Sequence, residues 1–324
     1  MPYFKKLNGY TVKDEEARQY IEELRNGKAN VSDIDRLSQS MNELEEEVNE
    51  LQCGSNPNLL INGDFRVNQR GLTTYETPNS WQGVFTVDRW MINGPLSKLV
   101  VGDGYVELIK TTDACFFRQK MEHSVTGKLT ATVKVKALNG DVSCCMRTTD
   151  NVDNNLQSLN VGLNVIHFDG EDLQQLLIIP GEIGSSIQIE YIKLEHGEHA
   201  TPFIPRLYAG ELALCQRYYV KFSGAYYTFN NCLVIDKNNV MWISPHNVMR
   251  ITPTITLNIM RCGIQHNASM PTDYVTISSV SINDNSSIHV IFAFGSNHGM
   301  SIGSNCSVVL ATDNGSVEFD SEIY

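Results

Sequence analysis

The 324-residue sequence has no apolar run long enough to cross a bilayer. Its opening, Met1-Pro2-Tyr3-Phe4-Lys5-Lys6, passes straight into polar residues without a secretory core, so synthesis in a cytoplasm is expected, with no membrane insertion. No Gly-x-Ser-x-Gly elbow, phosphate loop or dinucleotide fingerprint occurs, so the common nucleophile and nucleotide chemistries lack a signature. His196-Gly197-Glu198-His199 lacks the helical two-histidine spacing of a catalytic zinc site and reads as a strand-exit loop. Paired cysteine spacing is missing too. The eight cysteines (53, 115, 144, 145, 215, 232, 262, 306) are scattered, and adjacent Cys144-Cys145 cannot make an ordinary ligand pair. Small buried apolar residues are expected there, not a disulfide or zinc framework.

Basic charge is also scarce. The net charge is −12, but seven acids against the single base Arg36 between residues 33 and 51 supply half of it. The remainder is only mildly acidic, which argues against nucleic acid and anionic membrane as partners. Hydrophobic residues make up 42%, enough for real cores, and the length allows about two domains beyond that acidic segment.

What is present begins with the segment itself. Ile34, Met41 and Val48 recur every seven residues, and Leu37, Leu44 and Leu51 do the same three residues on. This two-in-seven stripe is the seam of a coiled coil, so an oligomerisation stalk is expected. An amphipathic helix lying on its own domain is the plainer alternative, but the stripe is narrow and no apolar surface follows directly to receive it. An antiparallel pair would set Asp33 against Glu47 and Glu45 against its own copy, so a parallel arrangement is expected. β-Branched Ile34 and Val48 lean towards two strands in isolation. The seam spans about 27 Å and is marginal alone, so the domains after it should fix the stoichiometry.

Four regions follow from the rest of the pattern: an adaptor over 1–31, the stalk and linker over 32–56, a β-sandwich over 57–205 and a β-rich head over 206–324. In the adaptor, Asp14 to Asn26 reads as a short helix with Ala17, Tyr20, Ile21 and Leu24 on one face, stopped by Gly27. In the sandwich, Leu129, Ala131, Val133, Val135 and Ala137 alternate with polar residues, as do Ile187, Ile189 and Tyr191. Further strands are expected at Tyr105–Ile109, Cys115–Gln119, Val161–Phe168 and Leu173–Ile179, with turns at Asn139-Gly140-Asp141 and Asp169-Gly170. Short strands without intervening helices predict an antiparallel, jelly-roll-like sandwich. In the head, Glu211 to Tyr219 reads as two helical turns with Leu212, Cys215 and Tyr219 on one face, followed by strands and Asn/Ser/Gly-rich loops. The class is therefore mainly β behind an N-terminal helix and coiled coil.

Candidate sites are those that suit saccharides: an exposed aromatic face with amides or carboxylates beside it. Trp81, Tyr226, Tyr227 and Trp242 are the aromatic candidates, with Asn230, Asn231 and His246 as polar neighbours. Aromatics in β domains more often fill cores. The head set is preferred because that domain is distal to the stalk. Asn62, Asp64 and Glu195 would approach one another if the first and last sandwich strands pair, an oxygen-only set that suits a structural calcium. Without a compact loop of alternating acids, surface turn residues are the plainer reading. No other cofactor is expected. Asp88-Arg89-Trp90 reads as a packed corner in which the Asp and the Arg satisfy each other around a buried ring.

Two stretches carry a family resemblance. The first is Asn58-Leu59-Leu60-Ile61-Asn62-Gly63-Asp64-Phe65 with Gln69-Arg70-Gly71 and Thr86-Val87-Asp88-Arg89-Trp90. The second runs from Lys193-Leu194-Glu195-His196-Gly197 through Ala200-Thr201-Pro202-Phe203-Ile204-Pro205-Arg206 to Glu211-Leu212-Ala213-Leu214-Cys215-Gln216-Arg217-Tyr218-Tyr219. Together they resemble the carbohydrate-binding-module-like sandwich and following head of phage and prophage tail fibre or receptor-binding proteins. Gly9-Tyr10-Thr11-Val12-Lys13-Asp14 is similar to the opening of phage tail appendage proteins. Asn68 departs from the pattern, standing where relatives often carry an aromatic residue. The resemblance implies a homotrimer in the virion, joined to tail or baseplate proteins through its N-terminus. It further implies a non-enzymatic attachment function towards bacterial surface polysaccharide. A tailspike-type depolymerase and a bacterial lectin-like adhesin are the alternatives.

Overall fold

A computed structural model describes residues 56–224, 227–243, 249–251, 253–258, 262–265, 274–275, 277–282, 289–294, 300–310 and 315–323, together with Arg36, Gln39 and Ser40. The chain divides into two units, Met1–Ser55 and Asn56–Tyr324. In the first, Arg36, Gln39 and Ser40 are helical and exposed. The seam residues Ile34, Leu37, Met41, Leu44, Val48 and Leu51 lie outside the described residues, as does the adaptor helix. Among the described residues no helix is long and apolar enough to cross a membrane.

The second unit opens with one antiparallel sheet. Its strands are β1 (Thr74–Glu76), β2 (Val84–Phe85), β3 (Met91–Asn93), β4 (Lys98–Gly102), β5 (Tyr105–Ile109), β6 (Phe116–Asn139), β7 (Val142–Thr148), β8 (Asp153–Ser158), β9 (Gly162–Pro180) and β10 (Ser186–His196). The order is β1-β4-β5-β10-β6-β9-β7-β8, with the β2–β3 pair joined to the first part of β6. Held straight, the 24 residues of β6 would reach about 80 Å, far beyond the span of a domain this size. The strand bends instead. Its register slips between Lys120 and Val125 and again before Gly127, which takes φ +103°. Before the bend, β6 pairs with β3 and the second half of β9; after it, with β10 and the first half of β9.

The sheet thus folds over itself, and Phe117 and Ile178 from one half share a core with Val133, Leu108 and Ile187 from the other. Burying each such side chain contributes about 1.5–3 kcal/mol. Sequence alternation located these segments but divided them wrongly. Phe116–Gln119 and Leu129–Ala137 fall along one strand, with Cys115 just before it, and Asp169-Gly170 is no turn: the two residues sit inside β9, opposite Lys128 and Gly127. The expected run Ile187, Ile189, Tyr191 is also broken. Register shifts around Ile189 turn Tyr191 outward, where its ring stacks on Phe203 at 4.3 Å, and Ile192 and Leu194 take the core side.

Helix α1 (Tyr208–Gln216) leads into the second β region. It starts three residues before the sequence expectation and buries Glu211 and Cys215, while Tyr219 already begins a strand. Glu211 is buried because its carboxylate caps the Asn62 N–H and pairs with Arg206 at 3.1 Å. The strands that follow are β11 (Tyr219–Ser223), β12 (Thr228–Val234), β13 (Asn239–Ile243), β14 (Thr254–Asn258), β15 (Cys262–Gln265), β16 (Tyr274–Val275), β17 (Ile277–Ile282), β18 (His289–Phe294), β19 (Asn305–Leu310) and β20 (Ser316–Asp320). They form two antiparallel sheets, β11-β20-β14 and β16-β15-β19-β12-β13-β18-β17. Val220, Phe222, Val317 and Phe319 of the smaller sheet face Phe229, Val234, Val240 and Phe292 of the larger one across a second core. The described cysteine side chains, at 115, 144, 145, 215, 232 and 306, are free and buried.

The two β regions meet across a buried polar seam. Arg89 adopts φ +72° in a tight turn closed by Trp90 N–H donating to the Val87 carbonyl. Its guanidinium pairs with Glu322, donates to the Lys120 carbonyl at 2.7 Å and lies 3.7 Å above the Tyr218 ring. Asp88 does not satisfy Arg89, as the sequence suggested. It accepts the Gln69 N–H and side-chain amide at 2.7 and 2.6 Å, and that same amide donates to the Tyr219 carbonyl. Trp90 is the expected packed corner: it is fully buried, stacked on Phe117 at 4.8 Å, with its indole N–H on the Asn62 carbonyl.

Candidate functional site

Because Phe117, Gln119 and Met121 of β6 point into the sandwich, strand alternation sends Phe116, Arg118 and Lys120 to its outer face. Register builds rows across that face. Met91 of β3, Arg118, Leu177 of β9 and Cys145 of β7 stand side by side. The next row holds Lys120, Gln175, Arg147 and Asp153 of β8. Asn93 lies opposite Phe116. Met91, Leu177, Cys145 and Gln175 are buried, so they make a floor, and the longer side chains lie over it.

The loop between β1 and β2 caps one end of this floor. Gly83 sits so close that a Cβ there would come within 2.6 Å of Met91 Sδ and nearer still to Asn93. Two residues earlier, Trp81 stacks on Phe116 with ring centroids 6.4 Å apart and planes 29° off parallel, yet stays 66% exposed. The Arg147 guanidinium is also over Phe116, at 5.6 Å, while its Nε donates to Asp153 at 2.5 Å. Arg118 donates to Gln175 Oε1 at 2.5 Å and points its second terminal nitrogen at Met91 sulfur, 3.4 Å away. Burial first, and then the like charge of Arg147, hold its guanidinium below its ordinary value. The result is an open indole face beside two cations and an amide: a ring platform with directional donors.

A second concavity lies on the other half of the sandwich. It is a cleft of about 320 Å³ lined by residues that include Lys128, Asn154, Asn155, His167, Asp169 and Glu198. Lys128 and Glu198 close it with an exposed ion pair at 2.5 Å that lowers the Glu198 carboxyl. His167 Nδ1 meets Thr130 Oγ1 at 3.1 Å, and Asn155 donates to the His167 carbonyl. Its Leu129 and Phe168 are buried, so neither offers an open ring or apolar platform.

The residues named from sequence are dispersed. Trp242 is 5% exposed, edge-on to Phe222 at 5.4 Å and Phe229 at 4.9 Å, so it fills the second core and presents no face to a ligand. Tyr227 is half-buried against the same two phenylalanines. Asn230 and Asn231 are exposed at an irregularity in β12, where Asn231 takes φ +58° and Asn230 accepts the Ser307 hydroxyl. Tyr226 and His246 lie outside the described residues. The preference for the head over Trp81 therefore loses its central member.

Each of the three residues of the calcium donor set is held by protein partners. Asn62 is fully buried, donating to the Val67 and Asp88 carbonyls and accepting Val67 N–H. Asp64 pairs with Arg66 at 2.6 Å. Glu195 accepts from Lys193 and from the Thr201 N–H and hydroxyl. Among the described residues no cluster of three or more His, Cys, Asp or Glu could hold a metal ion. Asn68, the departure from the family pattern, holds a turn by accepting the Tyr75 hydroxyl and Gly71 N–H.

No family model matches the chain, and no curated protein matches it. Solved structures give distant neighbours. PfGH50B aligns over 57% of this chain at 7% identity and TM-score 0.27, and the chain spans 40% of that protein. The CBM22-1–CBM22-2 tandem domain of Xyn10C from Paenibacillus barcinonensis aligns over 82% of this chain and 97% of its own, at 8% identity and TM-score 0.25. Vicilin from hazelnut, Corylus avellana, aligns over 76% and 84%, at 5% identity and TM-score 0.15. Similarity at this level carries no argument about the site, which stands on its own geometry.

Proposed function

We propose that this chain is a non-enzymatic glycan-binding protein whose β-sandwich holds a saccharide against Trp81, and that it works as a phage or prophage tail fibre or receptor-binding protein. The observation that carries the binding part is the Trp81 ring, seated on Phe116 and still two-thirds open to solvent beside Arg147. Indole faces hold sugars through their C–H edges, and neighbouring guanidinium and amide donors fix orientation. Asp153 is the acid in these rows and is engaged by Arg147, so the reading includes no carboxylate pair for glycoside cleavage. The setting rests on the sequence resemblance. The heptads of residues 34–51 join three copies, the N-terminal segment meets tail or baseplate proteins, and the trimer multiplies weak sugar contacts on a bacterial surface.

The test is a glycan array probed with the full chain and with Trp81→Ala. Binding by the wild type that falls at least tenfold in the variant is expected. Equal binding by both removes Trp81 from the site, and no binding by either removes the glycan reading. Sedimentation of the same sample as single chains at micromolar concentration would remove the trimer.

A further inference from the structure

The Trp81 face carries a charge imbalance that a neutral sugar does not use. Its rows bring together Arg118 and Arg147 with one acid, Asp153, in a chain whose net charge is −12. The fully buried arginine elsewhere in this molecule, Arg89, is met by the Glu322 carboxylate, and half-buried Arg206 by Glu211. Arg118 is finished with an amide oxygen and a thioether sulfur, the latter a weak acceptor for a guanidinium. Arg147 gives Asp153 its Nε, which leaves the terminal fork of the guanidinium directed away from that bond. Gln175, bonded to Arg118, stands opposite Arg147 in register, so the two cations flank one buried amide. Trp81 and Arg147 both contact the Phe116 ring, which ties the platform to the charges.

We infer that this face takes a saccharide bearing a carboxylate, with a sugar ring on Trp81 and the carboxylate on the Arg147 and Arg118 guanidiniums. A carboxylate matches the planar fork in a bidentate way and completes the imbalance that protein acids leave. This rests on the glycan-binding reading above and narrows it to an acidic ligand.

The experiment measures binding of the full chain to an oligogalacturonate, to the same oligomer after carboxyl reduction, and to a phosphodiester-linked oligosaccharide of similar length. The oligogalacturonate should bind at least tenfold more tightly than its reduced form and should weaken as salt rises. Arg147→Gln should lose on the order of tenfold to a hundredfold towards the acidic oligomer and little towards the neutral one. Arg147→Lys should recover part of that loss by charge alone. Circular dichroism and melting of each variant confirm that the fold is intact. Equal affinity for the acidic and reduced oligomers, or an Arg147→Gln variant that binds both as wild type does, overturns the proposal while leaving the glycan reading standing. Preference for the phosphodiester oligomer over the carboxylate overturns the carboxylate assignment. Failure of all three oligomers alongside Trp81-dependent hits on neutral glycans also overturns it, and a blank array removes both readings.

Discussion

Two pairs of arginines in this molecule, Arg70 with Arg89 and Arg118 with Arg147, are finished in different ways. At the seam between the β regions, Arg89 and Arg70 sit 3.7 Å above Tyr218 and Tyr219. Arg89 is closed by Glu322, and Arg70 stands 3.8 Å from both Glu322 and Asp320. On the outer face of the sandwich, Arg147 lies over Phe116 with one carboxylate, and Arg118 ends on an amide and a sulfur. Arg147 repeats the cation–π contact of the seam, at a longer distance. What separates a structural joint from a candidate binding face is whether the chain itself supplies the counter-charge. A buried guanidinium without one is costly, so the seam invests acids from the far end of the chain, 233 residues away in sequence.

The largest way to break this contrast is at the seam. Glu322→Gln removes the acid whose oxygens meet both the Arg89 N–H and its guanidinium. Stranding that buried cation should lower unfolding stability by about 3–5 kcal/mol, read by urea denaturation with the slope unchanged. A loss below about 1 kcal/mol would mean that the seam is held by packing alone, and the difference between the two arginine pairs would disappear.

Acidity probes the same joint with a smaller expected effect. Folding pushes the Asp88 carboxyl up from 3.8 to about 6, because burial disfavours its charge more than Arg70 and the Gln69 donors favour it. The folded state therefore holds this proton more tightly than the unfolded one. Its contribution to stability is fully present below about 4 and is lost as pH rises through about 6, a change of about 3 kcal/mol. The stability-versus-pH curve of the wild type minus that of Asp88→Asn should fall across that window. A flat difference curve would place the Asp88 charge in better contact with Arg70 than the geometry gives it.

The contrast also explains what could be read from the sequence. Alternation over Leu129–Ala137 locates a strand, although Thr130 and Thr132 between its apolar residues are buried too and Ala137 is exposed. It does not show that this strand continues back to Phe116, since Gly127 and the register slips look locally like a turn. Adjacent Phe116-Phe117 hide which face is inward, so Arg118 could not be assigned to the outside without its neighbours. Arg147 and Gln175 join that face only through pairing with strands distant in the chain. The seam was partly legible: Asp88-Arg89-Trp90 read as a packed corner, but Glu322 is too far along the chain to suggest itself as the partner. The tryptophans did carry a local signal. Trp242 stands among Val240, Met241 and Ile243, whereas Trp81 is flanked by Ser80 and Gln82 between Pro78 and Gly83. Apolar neighbours favour burial, and turn residues favour exposure.

That local difference leads to the smallest stability effect and the sharpest separation of the two regions. The Trp81 ring touches Phe116 on one side and water on the other, so Trp81→Ala should change unfolding stability by no more than about 0.5 kcal/mol. At the seam, one removed acid is expected to unsettle both β regions; at the platform, one removed ring should leave the melting temperature nearly in place while glycan retention falls. Differential scanning calorimetry beside the array measurement reads both quantities on one sample. A drop of 2 kcal/mol or more would show that Trp81 is a structural clamp holding the β1–β2 loop down over Met91, and the open indole would then be incidental to its role.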